Sequence, residues 1–240
     1  MNLFTIDVDW APEEVIDDTL SLFKKYNTKC TVFATHDSEV IRNADRDLFE
    51  IGIHPNFNML LQKNSPYSAE EIIDILMDIY PEAKSVRSHS LMQSSPLLAL
   101  FKKKGLNYDC NNLRPYQKIE PYYLWNGMVS IPYNWEDDTH WAFNKSFDHA
   151  GFNFDSWESE LKIYDFHPVH VFTNCYSESY YQTFRMHYQN ASELIKFRND
   201  DIDGARSFLI KTLQMQQLQN EPNYTVSEFC TQNEHLILRF

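Results

Sequence analysis

Phe4-Thr5-Ile6-Asp7-Val8-Asp9-Trp10 reads as a β-strand that closes in acid. Side chains two apart on a strand share a face, so Asp7 and Asp9 are expected together while Phe4, Ile6 and Val8 carry the apolar side. Two confined carboxylates repel, and burial disfavours their charged forms, so a metal ion or an arginine is the expected counter-charge. The stretch therefore marks both a sheet and a candidate site. Outward from it, strands and helices alternate. Pro12 suits a first helical turn, Glu13 and Glu14 follow, and Val15, Ile16, Thr19, Leu20, Leu22 and Phe23 keep a helical stripe that Lys24 and Lys25 close. Strands are expected over residues 29–36 and 49–54, with a short helical stretch at 39–43 between them. Ser68 and Glu71 form a capping box before a helix running to about Tyr80. Residues 85–89 read as strand, 96–104 as a helix stopped by Gly105, and 107–111, 129–135 and 163–170 as further strands. A long helix is expected over 203–219. This alternation predicts an α/β fold around a parallel sheet.

The chain has 240 residues and a mass of 28.5 kDa, enough for one large α/β domain or two small ones. No Gly/Ser linker or repeat divides it, so a single domain over 1–240 is expected. The 21 Lys and Arg against 34 Asp and Glu give a formal charge of −13, which argues against nucleic acid or an anionic membrane as partner. Neither a basic, apolar leader nor an 18-residue apolar run is found, so a cytoplasmic protein without a transmembrane segment is expected. Cys30, Cys110, Cys175 and Cys230 are scattered without C-x-x-C spacing and read as reduced thiols. None of the five glycines builds a dinucleotide or phosphate-binding loop.

Acids, histidines and one arginine gather at the predicted strand ends: Asp7 and Asp9, His36, His54, Arg87 with His89, Asp109, Asp137 with Asp138, and His167. In a barrel of parallel strands those ends share one mouth, where such folds place their chemistry. A lone histidine is ordinarily a packed or surface residue, and His140, His149, His187 and His235 are read that way. Coincidence across six strands is harder to dismiss.

Five fragments in order resemble the polysaccharide deacetylases of the NodB-homology type, over roughly the first 170 residues. Thr5-Ile6-Asp7-Val8-Asp9 is similar to the first family motif, T-F-D-D-G, with one residue between the acids. Glu50-Ile-Gly-Ile-His54-Pro-Asn-Phe-Asn58 is similar to the H-x-x-x-H motif, with Asn58 in the second histidine's place. Val86-Arg87-Ser88-His89-Ser90 resembles R-x-P-Y-G, with histidine for proline. Gly105-Leu-Asn-Tyr-Asp109 looks like a common family strand, Ile131 to Asp138 like the acidic fourth motif, and Tyr164-Asp-Phe-His167-Pro168 like the fifth, L-x-H. The wording H-P-N-F-N, R-S-H-S and D-F-H-P-V-H looks most like the WbmS-like branch, associated with lipopolysaccharide O-antigen biosynthesis.

The resemblance implies a single-domain, irregular (β/α)7-type barrel, with a helical C-terminal portion from about 178. It also implies a divalent metal, commonly zinc, and removal of an N-acyl group, acetyl or formyl, from a sugar in surface-polysaccharide biosynthesis; the missing leader favours a nucleotide-linked or lipid-linked sugar over an assembled wall polymer. Carried over, Asp7 is the general base, Asp9 and His54 are metal ligands, Arg87 holds Asp7 ionised, the Ser90 N–H meets the oxyanion and His167 is the general acid, oriented by Asp137 or Asp138. An amide oxygen is a poor zinc ligand, so the third ligand is expected to be His89, then His36, before Asn58. The resemblance equally allows a catalytically inactive sugar-binding or scaffold protein, motivated by Asn58. It leaves the oligomeric state open. Aromatics are dense over 121–157, including Tyr122, Tyr123, Trp125, Trp135, Trp141 and Phe143; most are expected in the core, with Trp10 and Trp135 as candidates for sugar contact.

Overall fold

A computed structural model of the protein describes residues 1–148, 159–219 and 222–239; His149 and Trp157 lie outside the described residues. Within them the strands are β1 Asn2–Asp7, β2 Cys30–Ala34, β3 Phe49–Ile53, β4 Ser85–Val86, β5 Tyr108–Asp109, β6 Tyr122–Tyr123, β7 Val129–Ser130, β8 Trp135–Glu136 and β9 Lys162–Phe166. They form one sheet in the order β6-β7-β5-β4-β3-β2-β1-β9-β8, parallel throughout except at the β6–β7 edge. The helices are α1 Glu13–Lys25, α2 Glu39–Arg42, α3 Asn58–Leu61, α4 Ala69–Ile79, α5 Ser95–Lys103, α6 Asp137–Ala142, α7 Pro168–Thr173, α8 Glu178–Phe184, α9 Ala191–Leu194, α10 Ala205–Gln219 and α11 Val226–Gln232.

The sheet curls. Arg87 follows β4, four strand positions from β9, about 19 Å in a flat sheet at roughly 4.8 Å per strand. Its side chain nevertheless bonds Asp165 of β9 and Asp7 of β1. The two faces of β1 then divide the core. Phe4, Ile6 and Val8 point outward into the layer that contains Val15, Ile16, Leu20 and Phe23 of α1. Leu3 joins the inner cluster with Phe33, Ile131, Tyr133 and Ile163, which Val226 and Phe229 of α11 also enter.

Local sequence explains most element bounds. Ser68 caps α4 in the expected box, and Gly105, at φ 86, sits where a side chain would be strained. Several expectations need correction, because the expected strands are shorter. β1 stops at Asp7, and the chain turns through left-handed Asp9 (φ 45) and Trp10 (φ 57), so the two acids do not share a strand face. Residues 129–135 form two strands far apart in the order, β7 beside β5 and β8 beside β9. Pro132, which has no N–H for a ladder, lies between them. Residues 163–170 stop as strand at Phe166, because Pro168 opens α7. Likewise β2 ends before His36, β3 before His54 and β4 before Arg87, and His89 opens a 3-10 turn, His89–Leu91.

Candidate active site

Asp7 and Asp165 stand on β1 and β9, and the other site residues follow strand ends in turns that aim their side chains. The β1–α1 turn carries Asp9, the residue after β3 is His54, and the turn after β4 carries His89. Asp9 Oδ1 lies 3.2 Å from His54 Nε2 and 3.0 Å from His89 Nδ1, and the two ring nitrogens are 3.4 Å apart. These separations are close to the edges of a tetrahedron about an ion bound at zinc distances, roughly 3.3 Å. Two imidazole nitrogens facing each other beside one carboxylate suit a shared cation. The residues therefore fit a divalent metal. Among the described residues His54 Nδ1 is buried without a hydrogen bond and faces Asp7 Oδ2 at 3.6 Å, the side on which metal-binding histidines are commonly steadied by a carboxylate. The backbone at Asp9 and Trp10, and again at Ser90 (φ 58) and Leu91 (φ 53), is left-handed at non-glycine residues, a strain that surrounding contacts must hold in place.

His167 caps α7 and Asp137 opens α6. Asp137 Oδ1 takes His167 Nδ1 at 2.7 Å and His170 Nδ1 at 3.0 Å, while its Oδ2 accepts the His167 backbone N–H at 2.9 Å. One buried carboxylate thus anchors two rings, fixing Nδ1 as the proton-bearing nitrogen facing it and leaving each Nε2 for other partners. His167 Nε2 is 3.8 Å from Asp9 Oδ2.

A third group lies beneath. Arg87 Nη1 donates to Asp7 Oδ1 at 2.9 Å and to Thr5 Oγ1 at 3.0 Å and bonds Asp165; its Nε donates to the Cys110 carbonyl at 3.1 Å. The guanidinium lies between the rings of Tyr133 (4.0 Å) and Phe33 (4.6 Å). An oxygen of Asp7, an oxygen of Asp165 and a ring nitrogen of His167 all lie within 4.8 Å of one another.

The charges follow. Burial opposes ionisation of Asp9, but hydrogen bonds from His54 and His89 and the charge of His167 overcome it and hold the carboxyl well below its ordinary range. Burial disfavours the His167 cation, yet Asp137 pushes that imidazole well above its usual value. Asp165 is pushed up to about 7 by burial, although Arg87 acts against it.

Asp9, Trp10, His89, His167, His170 and Tyr181 are among the residues lining a cleft of about 540 Å³. Of the predicted residues, Asp7, Asp9, His54, Arg87, His89, Asp137 and His167 converge here. Asn58 does not: its amide donates to Ser90 Oγ at 3.1 Å. His36 bonds Thr35 Oγ1 at 2.9 Å, outside the ligand group, and Asp109 accepts from Gln93 and Asn111. Trp10 lines the cleft, but Trp135 is 1% exposed and stacks on Phe208 at 4.7 Å, so it is core and not a sugar contact. Sequence reasoning gave no role to Asp165 or His170. The first could have been found as the same-face neighbour of His167 on a strand, the second by starting a helix at Pro168. Tyr181, Tyr188 and Gln189 of the cleft carried no sequence signal.

The WbmS-like polysaccharide deacetylase family matches residues 4–185. The chain belongs to that family. WbmS of Bordetella bronchiseptica, described as a polysaccharide deacetylase involved in O-antigen biosynthesis, is 37% identical to this WbmS-like chain over 89% of it and 90% of the solved chain, with a TM-score of 0.83. The Xyl-CE4 domain of a xylanase from the hindgut metagenome of Trinervitermes trinervoides (12% identity, 97% and 90% covered, TM-score 0.53) and the peptidoglycan deacetylase PdaC of Bacillus subtilis (13%, 98% and 92%, 0.50) share the fold. No curated protein matches significantly. The expected irregular α/β barrel is the fold of this WbmS-like chain, and among its described residues no helix is long and apolar enough to cross a membrane.

Proposed function

We propose that the protein is a metal-dependent deacylase that removes an N-acyl group, acetyl or formyl, from a sugar during lipopolysaccharide or other surface-polysaccharide biosynthesis, acting in the cytoplasm on a nucleotide-linked or lipid-linked form. The observation that carries this reading is the tripod of Asp9 Oδ1, His54 Nε2 and His89 Nδ1 beside an imidazole anchored by Asp137. Family membership and the printed role of the Bordetella protein support it.

Asp9, His54 and His89 would hold the ion, with zinc the metal best suited to two nitrogens and one carboxylate oxygen. When bound, such an ion polarises the acyl oxygen and acidifies a water. The chain's own residues do the rest. Asp7, held in place by the Arg87 Nη1–H at 2.9 Å, accepts the proton of the attacking water. The Ser90 N–H, adjacent to His89, is the proposed donor to the acyl oxygen as it gains charge. His167, protonated through its bond to Asp137, delivers a proton from Nε2 to the departing amine. Trp10 offers an aromatic face to the sugar.

The alternative of a silent sugar-binding or scaffold protein was motivated by Asn58 in a ligand's place. With His89 3.0 Å from Asp9, that motive is weaker. The test is release of free amine from N-acetylated and N-formylated sugars by zinc-loaded protein. Release that is abolished in Asp7→Asn and His167→Ala is expected; equal release by wild type and Asp7→Asn would refute the mechanism.

A further inference from the structure

The turn that carries His89 and Ser90 is held from the end of β5. Val86 pairs with Asp109 in the parallel ladder of β4 and β5, and the Cys110 N–H donates to the Val86 carbonyl at 2.9 Å. Continued in the same register, the Ser88 N–H would donate to the Cys110 carbonyl. It does not do so. Asn111 Oδ1 accepts the Ser88 N–H at 2.7 Å, and the Cys110 carbonyl accepts from Arg87 Nε at 3.1 Å. We propose that Asn111, braced by Asp109, is a positioning residue of the site: its side chain ends the ladder at Ser88 and so sets both the His89–Ser90 turn and the Arg87 guanidinium. The inference rests on reading His89 as a metal ligand and the Ser90 N–H as the donor to the acyl oxygen.

The brace is a chain of short bonds. Asn111 Nδ2 donates to Asp109 Oδ1 at 2.7 Å, and Asp109 Oδ2 accepts from Gln93 Nε2 at 2.7 Å. Ser88 and Gln93 stand on either side of the turn, so the chain closes on both of its ends. Ser88, Asp109 and Asn111 are buried, and water has little access to replace the bonds among them. One amide therefore does two things at once. It satisfies the Ser88 N–H that the ladder has dropped, and it leaves the Cys110 carbonyl to the guanidinium that bonds Asp7.

The turn needs such a hold. Ser90 (φ 58) and Leu91 (φ 53) are left-handed, a conformation that residues with side chains keep only where the surroundings fix it. From the β3 side the His89 N–H donates to the Pro55 carbonyl at 3.0 Å, and the Asn111 chain supplies the opposite side. Without Asn111, the Ser88 N–H would turn to the Cys110 carbonyl in competition with Arg87. That exchange draws the turn toward β5, and with it the imidazole that stands 3.0 Å from Asp9. A displacement on the order of 1 Å is enough to spoil ligand and donor geometry together.

Zinc titration against a chelating dye, with amine release measured at saturating zinc, tests this in Asn111→Leu, which fills the same space with neither acceptor nor donor. Zinc is expected to bind about 10–100-fold more weakly, and kcat to fall about tenfold while KM changes little. Asp109→Leu is expected to lose zinc affinity similarly, and Asp109→Asn, which keeps an acceptor for Asn111, to recover most of that loss. A merely structural residue would lower the urea midpoint and leave the zinc affinity and kcat of the folded protein unchanged. That result overturns the proposal, as does an Asp109→Asn protein that binds zinc no better than Asp109→Leu. Should the buried variants fail to fold, Gln93→Ala, an exposed change that spares the core, is expected to weaken zinc several-fold, and wild-type affinity there overturns it equally. Failure of the deacylase reading looks different: weakened zinc in Asn111→Leu with no amine released by wild type sinks that reading and leaves the brace standing.

Discussion

Arg87 Nη1 lies 2.9 Å from Asp7 Oδ1 and also bonds Asp165, so a single nitrogen of one buried guanidinium ties the end of β4 to β1 and β9 across the barrel interior. Two carboxylates share one cation there, and removing it leaves both without a counter-charge. Arg87→Met is expected to cost roughly 3–5 kcal/mol, the range for breaking a buried pair from one side. Asp165→Asn should cost only about 1 kcal/mol, because Asp165, pushed up to about 7, already tolerates a proton near neutrality. Urea unfolding at pH 7 measures both; an Arg87→Met protein as stable as wild type would mean that the arginine is not the tie.

Metal retention separates the candidate ligands. After loading with zinc and desalting, wild type is expected to keep one equivalent, as are Asn58→Ala and His36→Ala, whose side chains bond elsewhere. Asp9→Ala, His54→Ala and His89→Ala should keep none. Elemental analysis decides it, and full retention by His89→Ala would move the third ligand to another residue.

Asp137 holds two imidazoles on one oxygen. Replacing it by asparagine offers an amide where His167 and His170 each need an acceptor, which turns one or both rings out of place. A fall in kcat for amine release of roughly 10²–10⁴ is expected, the usual range for a displaced acid. His170→Asn should fall less, since it leaves the His167 bond intact. An Asp137→Asn protein with wild-type kcat would remove the aspartate from the mechanism.

His140 makes stability depend on pH. Its Nδ1 accepts from the Trp135 indole at 3.1 Å and its Nε2 faces the Ser146 carbonyl at 2.9 Å, an arrangement that suits the neutral ring with its proton on Nε2. Burial lowers its pKa from 6.5 to about 4. The unfolded chain therefore binds this proton first as pH falls, so the stability this residue contributes is present above 6.5 and is lost on the way down to about 4. The loss is on the order of 3 kcal/mol. Melting curves from pH 7 to 4 should show it, and His140→Gln should flatten the slope in that window; an equally steep slope in the variant would assign the effect to other groups.

Periodicity and punctuation made much of this protein legible. The stripe from Val15 to Phe23 and the Ser68–Glu71 box are local signals, set by contacts within a few residues, and α1 and α4 appear where they call for them. The fold class followed from strand and helix alternation, and the site residues from their places at strand ends together with the family motifs. Local signals failed where the chain changes direction over one or two residues. The stretch from Phe4 to Trp10 shows this best: Asp7 and Asp9 come together around His54 because a left-handed turn at Asp9 and Trp10 brings the second acid back, and no strand pleat does so.

Sequence by itself thus determined the alternating α/β architecture and the short roster of acids, histidines and one arginine that the family motifs share. Tertiary structure placed His89, which the ligand chemistry already favours over Asn58, beside Asp9, and it alone decided the rest of the grouping: Trp135 in the core, Asp165 opposite Asp7 on Arg87, and His170 paired with His167 on Asp137. The reason is distance along the chain. Asp9 and His89 are 80 positions apart, Arg87 and Asp165 78, and Asp137 and His170 33, a scale on which propensity and spacing carry no information and only the curl of the sheet brings side chains within bonding range.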